Sequence, residues 1–134
     1  MTANELQIGD WVHYWILDRD AKINDIMNTG RLGIIFTDSK DEVGYIHGIM
    51  SESIKPIPIT PKILEKNGFV KNKYGEMILD EELGTSEIYL VLEPSYDEEY
   101  YWWRVNNELI AKIKSIHELQ HVLRLCNIEK EIEL

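Results

Sequence analysis

Two hydrophobic periods divide the chain. From Leu6 to Ile59 the apolar residues fall in short runs rich in β-branched and aromatic side chains, separated by small polar clusters, which is the signature of strands and turns. Leu6-Gln7-Ile8-Gly9-Asp10-Trp11-Val12 reads as an apolar–turn–apolar opening, and Trp11 to Leu17 as the first run of β-formers. Asn28-Thr29-Gly30 predicts a turn, Leu32 to Thr37 a buried strand, Asp38-Ser39-Lys40-Asp41 a second turn, and Val43 to Met50 a further strand. Two prolines in Ile54-Lys55-Pro56-Ile57-Pro58-Ile59 exclude helix and suit an extended edge.

The period then changes. Thr60-Pro61 is an N-cap with proline at the first helical position, and Asn67-Gly68 is a stop, so a helix of about two turns lies between them. Strands are predicted around Glu76 to Leu79 and from Ser86 to Glu93, the latter broken by Pro94-Ser95-Tyr96-Asp97. Tyr100 to Val105 and Leu109 to Lys114 flank Asn106-Asn107, which tolerate the positive φ of a two-residue hairpin turn. That turn sets Arg104 opposite Leu109, Trp102 opposite Ala111 and Tyr100 opposite Ile113, the face expected to be buried. The other face pairs Trp103 with Ile110 and Tyr101 with Lys112. A last helix is capped by Ser115 with Glu118 in a capping box, and carries Ile116, Leu119, Val122, Leu123 and Cys126 on one stripe.

The fold class expected is therefore α+β. A curved antiparallel N-terminal sheet, compatible with an SH3-like barrel, precedes a short helix, an antiparallel meander and a C-terminal helix. Residues 1–134 form a single domain, or two lobes at 1–57 and 58–134. A chain of 134 residues, 44% hydrophobic and 28% charged, is an ordinary globular composition and builds a core without staples.

Cys126 is the one cysteine, so no internal disulfide is expected. The N-terminus has no basic region followed by an apolar stretch, and nothing approaches the roughly 18 apolar residues of a membrane span. The expected location is the cytoplasm, with no membrane contact. A net charge of −10 opposes direct binding to a phosphate backbone and permits the reverse, imitation of a nucleic acid to occupy a basic protein.

His117-Glu118-Leu119-Gln120-His121 matches the HExxH pattern in which two histidines one turn apart hold Zn²⁺ and the Glu acts as general base. At about 100° per residue the apolar stripe centres on Leu119, which sends His117 and His121 to the opposite, solvent-facing side. Arg124 and Asn127 stand where the extended motif needs Gly and His, and Ser115 already accounts for Glu118 as a cap. Neither His13 nor His47 has a partner at metal-ligand spacing. Gly30-Arg31-Leu32-Gly33 lacks the Lys-Ser/Thr of a phosphate loop, and Cys126 reads as a small buried hydrophobe. No catalytic residue, metal or other cofactor is expected.

Tyr96-Asp97-Glu98-Glu99-Tyr100-Tyr101-Trp102-Trp103-Arg104 concentrates aromatic rings and acids. Tyr96, Tyr101, Trp103 and Arg104 are the residues expected to meet a partner, because Trp, Tyr and Arg are the usual interface anchors. The alternative is a hairpin with one ring face in the core and the other covered.

Three blocks resemble a family of short proteins of Bacteroides-type bacteria, often encoded near phage or other mobile elements. Glu5-Leu6-Gln7-Ile8-Gly9-Asp10-Trp11-Val12 is similar to its "ELRIGNYV" start, residues 54–69 to its "PIPLTEEWLLKFGF" block, and Ser115 to Leu123 to its "YVHQLQNLYF" helix. Asn127 to Leu134 departs from the family's "TGEEL" ending. The resemblance implies that Glu118 and His121 stand where relatives carry Gln and Asn, and it brings no activity to carry over. The function expected is a non-enzymatic binding or accessory protein of phage or mobile-element origin whose partner is another protein. The alternatives are an acidic decoy using Asp80-Glu81-Glu82 and Asp97-Glu98-Glu99, and a zinc hydrolase.

Overall fold

A computed structural model describes the backbone of all residues except 37–43, 84–85, 98 and 107, and the side chains of all except these and 80–89. The turn expected at 38–41 therefore lies outside the described residues. Two compact units divide the chain, Met1–Ile57 and Pro58–Leu134.

In the first unit β1 (Trp11–Tyr14), β2 (Arg19–Ile26), β3 (Leu32–Ile35), β4 (Tyr45–Ile49) and β5 (Ile54–Lys55) form one sheet in the order β4-β3-β2-β1-β5, every pairing antiparallel. Alternation along the strands sends Val12, Tyr14, Ala21, Ile23, Leu32 and Ile34 to one face, where Leu6, Phe36, Ile49 and Ile54 complete the core. Among the described residues no pairing joins β4 to β5, so the sheet stays open and does not close into a barrel.

The first strand is shorter than its run of β-formers. It ends at Tyr14 because the Trp15 N–H turns away to Ser53 O (3.3 Å), the Trp15 indole donates to Glu52 O (2.8 Å), and Asp18 adopts φ +50°. Trp15, Ile16 and Leu17 are consequently exposed.

The second unit runs α1 (Pro61–Lys66), β6 (Val70–Lys71), β7 (Met77–Leu83), β8 (Ser86–Pro94), β9 (Tyr101–Val105), β10 (Glu108–Ile113) and α2 (Ile116–Leu125). Its sheet is an antiparallel meander, β10-β9-β8-β7-β6. Thr60 caps α1 by accepting from the Ile63 N–H (3.3 Å), and Gly68 ends it at φ +91°, a conformation that glycine adopts without strain. Cross-strand register places Met77, Leu92 and Trp103 in one row and Leu79 and Leu90 in the next, all buried. Beyond α2, Ile128 and Ile132 are buried too, and the Asn67 side chain holds the tail there by exchanging 2.7 Å hydrogen bonds with the backbone C=O and N–H of Glu133.

Candidate functional site

The HExxH segment occupies the first half of α2. Oε1 of Glu118 accepts from the Ser115 N–H (3.2 Å), the Ser115 hydroxyl (2.7 Å) and the Lys114 N–H (3.3 Å). A general base must present its oxygen to the water it deprotonates. This one is turned back onto the start of its own helix.

His117 corrects the expectation that both imidazoles face water. It is buried, 6% exposed, with Nδ1 3.1 Å from Ser115 Oγ. The aliphatic stripe underestimated the covered arc: Ile116, His117, Leu119, Gln120, Val122 and Leu123 are all buried, spanning about 220° of the helix at 100° per residue. Local pairing fixes this roll, because the Ile59 N–H donates to Lys114 O (3.0 Å) and Pro58 bridges Ser115 immediately before the first turn. His121 is half-buried, its ring centroid 5.7 Å from that of His117 and edge-on to it. Among the described residues no three His, Cys, Asp or Glu side chains group to hold a metal.

In the first unit His13 lies between Asp18 (Nε2–Oδ1 3.0 Å) and Asp20 (Nδ1–Oδ1 2.8 Å), while Nδ1 of His47 is hydrogen-bonded to the Tyr45 hydroxyl and lies 3.9 Å from Asp25. Cys126, at the end of α2, is half-buried rather than buried, and desolvation pushes its thiol up, away from thiolate reactivity.

The aromatic hairpin is also rearranged. Val105 pairs with Glu108, Asn106 takes φ +49°, and Arg104 faces Leu109, all as the spacing predicts. Past that point a β-bulge at Ile110 shifts the register, so that Trp103 faces Ala111, Trp102 faces Lys112 and Tyr101 faces Ile113. Ile113 is buried as expected but against Tyr101 rather than Tyr100, and Tyr101 and Trp103 are buried (7% and 6% exposed). The predicted inner and outer faces of β9 are thus exchanged, while Ile113 keeps its place. Of the four expected contact residues, Tyr96 is fully exposed and Arg104 is half-buried, its Nη2 2.7 Å from Glu93 Oε2.

On the opposite face of the sheet lie Tyr100 and Trp102, both half-buried, rings edge-to-face with centroids 5.2 Å apart, and exposed Lys112, whose ammonium lies 5.2 Å from the Tyr100 ring centre. No sequence signal marks the bulge that puts them there. A groove of about 270 Å³ runs beside them, lined by Glu99, Tyr100, Lys112, Ile113, Lys114 and Glu118.

Tyr96 sits on a turn closed by four hydrogen bonds: Ser95 N–H to Tyr100 O (2.9 Å), Ser95 hydroxyl to Asp97 Oδ1 (2.7 Å), Glu99 N–H to the same oxygen (3.3 Å), and Tyr100 N–H to Ser95 Oγ (3.3 Å). The Ser95 hydroxyl first, then the Glu99 N–H, hold the Asp97 carboxyl below the ordinary aspartate range. With a folded-state pKa below the unfolded one, this contribution to the turn is complete at neutral pH and is lost as pH falls through the lowered value. Ser95→Ala should move the Asp97 titration upward in a carboxyl-carbon NMR experiment, and an unchanged midpoint would remove the hydroxyl as the cause.

The side chains of Asp80, Glu81 and Glu82, and residue Glu98, which an acidic decoy would use, lie outside the described residues. Among the described residues no helix is long and apolar enough to cross a membrane. Comparison of the chain with protein-family models, with curated proteins and with solved structures found no match.

Proposed function

We propose that this chain is a non-enzymatic binding protein, an accessory factor of phage or mobile-element type acting in the cytoplasm, and that it meets another protein through the outer face of its second sheet. The observation that carries the reading is Tyr96, fully exposed on a turn closed by hydrogen bonds and followed in sequence by the half-buried rings Tyr100 and Trp102. Aromatic side chains give large contact area at small entropy loss, more so when their backbone is already fixed. Lys112 adds a cation at the same face, and a net charge of −10 favours a protein partner over a phosphate backbone. The mobile-element origin rests on the three sequence blocks. The zinc-hydrolase reading has no support from Glu118, whose Oε1 already serves three donors.

A photo-crosslinking residue placed at position 96 or at 74 in the native host tests this. Tyr74 is the control, being itself 74% exposed. One protein adduct of defined mass is expected from position 96 alone, and Trp102→Ala should abolish it. No adduct, or the same adducts from both positions, would refute the assignment.

A further inference from the structure

We infer that Asn67-Gly68 is a deamidation site that residues 127–134 hold shut, and that its conversion releases those residues irreversibly. This is the one Asn-Gly step in the sequence. An asparagine followed by glycine is open to the reaction because no Cβ shields the next backbone nitrogen. The Gly68 nitrogen bonds to Cγ of Asn67, the Cγ–Nδ2 bond breaks, and the Gly68 proton leaves with Nδ2 as ammonia. Water then opens the cyclic imide at either carbonyl, leaving aspartate or isoaspartate. Water is the only co-reactant.

In the fold each reacting group is engaged elsewhere. Asn67 is 4% exposed. Its Nδ2 donates to Ile63 O and to Glu133 O, both at 2.7 Å, and its Oδ1 accepts the Glu133 N–H at 2.7 Å. The Gly68 N–H donates to Glu65 O (3.2 Å), which keeps the nucleophile in the end of α1. Two of the three side-chain bonds run to Glu133, so residues 127–134 supply the guard.

Those residues form a separable strap. The strap leaves α2 through Asn127 at φ +57° and contains neither helix nor strand. Ile128 and Ile132, 5% and 2% exposed, anchor it, together with Asn67 and the Lys66 ammonium on Leu134 O. A segment held by so few contacts opens without unfolding the elements beneath it. Opening frees the Asn67 amide and admits water.

Conversion prevents the strap's return. A carboxylate has no N–H to offer Ile63 O or Glu133 O, and it sets a negative charge against both carbonyl oxygens. The strap itself already carries Glu129, Glu131 and Glu133.

Incubation of the full chain in warm, mildly alkaline buffer, with peptide mapping of aspartate and isoaspartate at position 67, tests the inference. The folded chain should convert at least about tenfold more slowly than the urea-unfolded chain. Ile132→Asp, which puts a charge at a buried anchor of the strap, should speed conversion about tenfold or more. Met77→Ala, an equally buried change in the same unit but away from the strap, should leave the rate near the parent's. Asn67→Asp, made directly, should speed hydrogen exchange at the Glu133 amide about tenfold or more while the paired strands β8 and β9 stay protected. Equal rates in the folded and unfolded chains would overturn the inference. So would equal acceleration by Ile132→Asp and Met77→Ala, or an Asn67→Asp chain whose Glu133 amide exchanges as slowly as the parent's.

Discussion

Trp103→Ala is expected to destabilise the second unit by about 3–5 kcal/mol, the range for deleting a large buried aromatic side chain. The same change one residue earlier, Trp102→Ala, should cost less, because a half-buried ring gives up less apolar area and its edge-to-face pair adds only about 0.5–1.5 kcal/mol to that. The contrast follows from the bulge at Ile110, which turns Trp103 into the row of Met77 and Leu92 and leaves Trp102 half-buried on the other face, against Tyr100. Trp103→Phe should recover most of the loss, because the indole N–H it gives up has no hydrogen-bond acceptor among the described residues. Urea unfolding followed by near-ultraviolet circular dichroism reads all three. If Trp102→Ala proves the costlier change, the register without the bulge is correct and the outer face described here is the inner one.

Glu118 gives the second contrast. Glu118→Ala strips the acceptor from two backbone N–H groups and the Ser115 hydroxyl, and should cost about 1–2 kcal/mol, as lost caps do. Glu118→Gln keeps a carbonyl oxygen at the same place and suits a capping box, so it should stay within about 0.5 kcal/mol of the parent. The two histidines should likewise separate. His117 is buried against Ser115, and His117→Ala should cost about 1–3 kcal/mol, while His121→Ala, at a half-buried position, should cost less. A metal site would make the two histidines equivalent and leave the glutamate without a part in stability. Thermal unfolding of the four variants decides between these patterns.

Features that depend on neighbouring residues were legible in the sequence. Thr60-Pro61 and Asn67-Gly68 bound α1, Ser115 with Glu118 starts α2, and the first two pairs of the last hairpin, Val105 with Glu108 and Arg104 with Leu109, fall where the spacing sets them. Features decided by distant packing were not. A bulge adds one residue to β10, and because side chains alternate along a strand, that single residue exchanges the two faces of β9 relative to the regular register. The burial of His117 was hidden for a related reason: a stripe drawn through aliphatic residues omits the polar ones, Gln120 and His117, that a wider contact covers. The early end of β1 depends on Glu52 and Ser53, far along the chain, and the carboxylates beside His13 reach it across a strand pairing and a turn.

We propose that the HExxH segment of α2 serves the fold, as a cap and a buried ring, and not a metal. Native mass spectrometry of protein purified without chelator and then supplied with equimolar zinc tests it most directly. The spectrum should show the bare 15.7 kDa chain, and thermal stability should be unmoved by zinc. One zinc retained per chain, raising the melting temperature and lost on His121→Ala, would contradict the account.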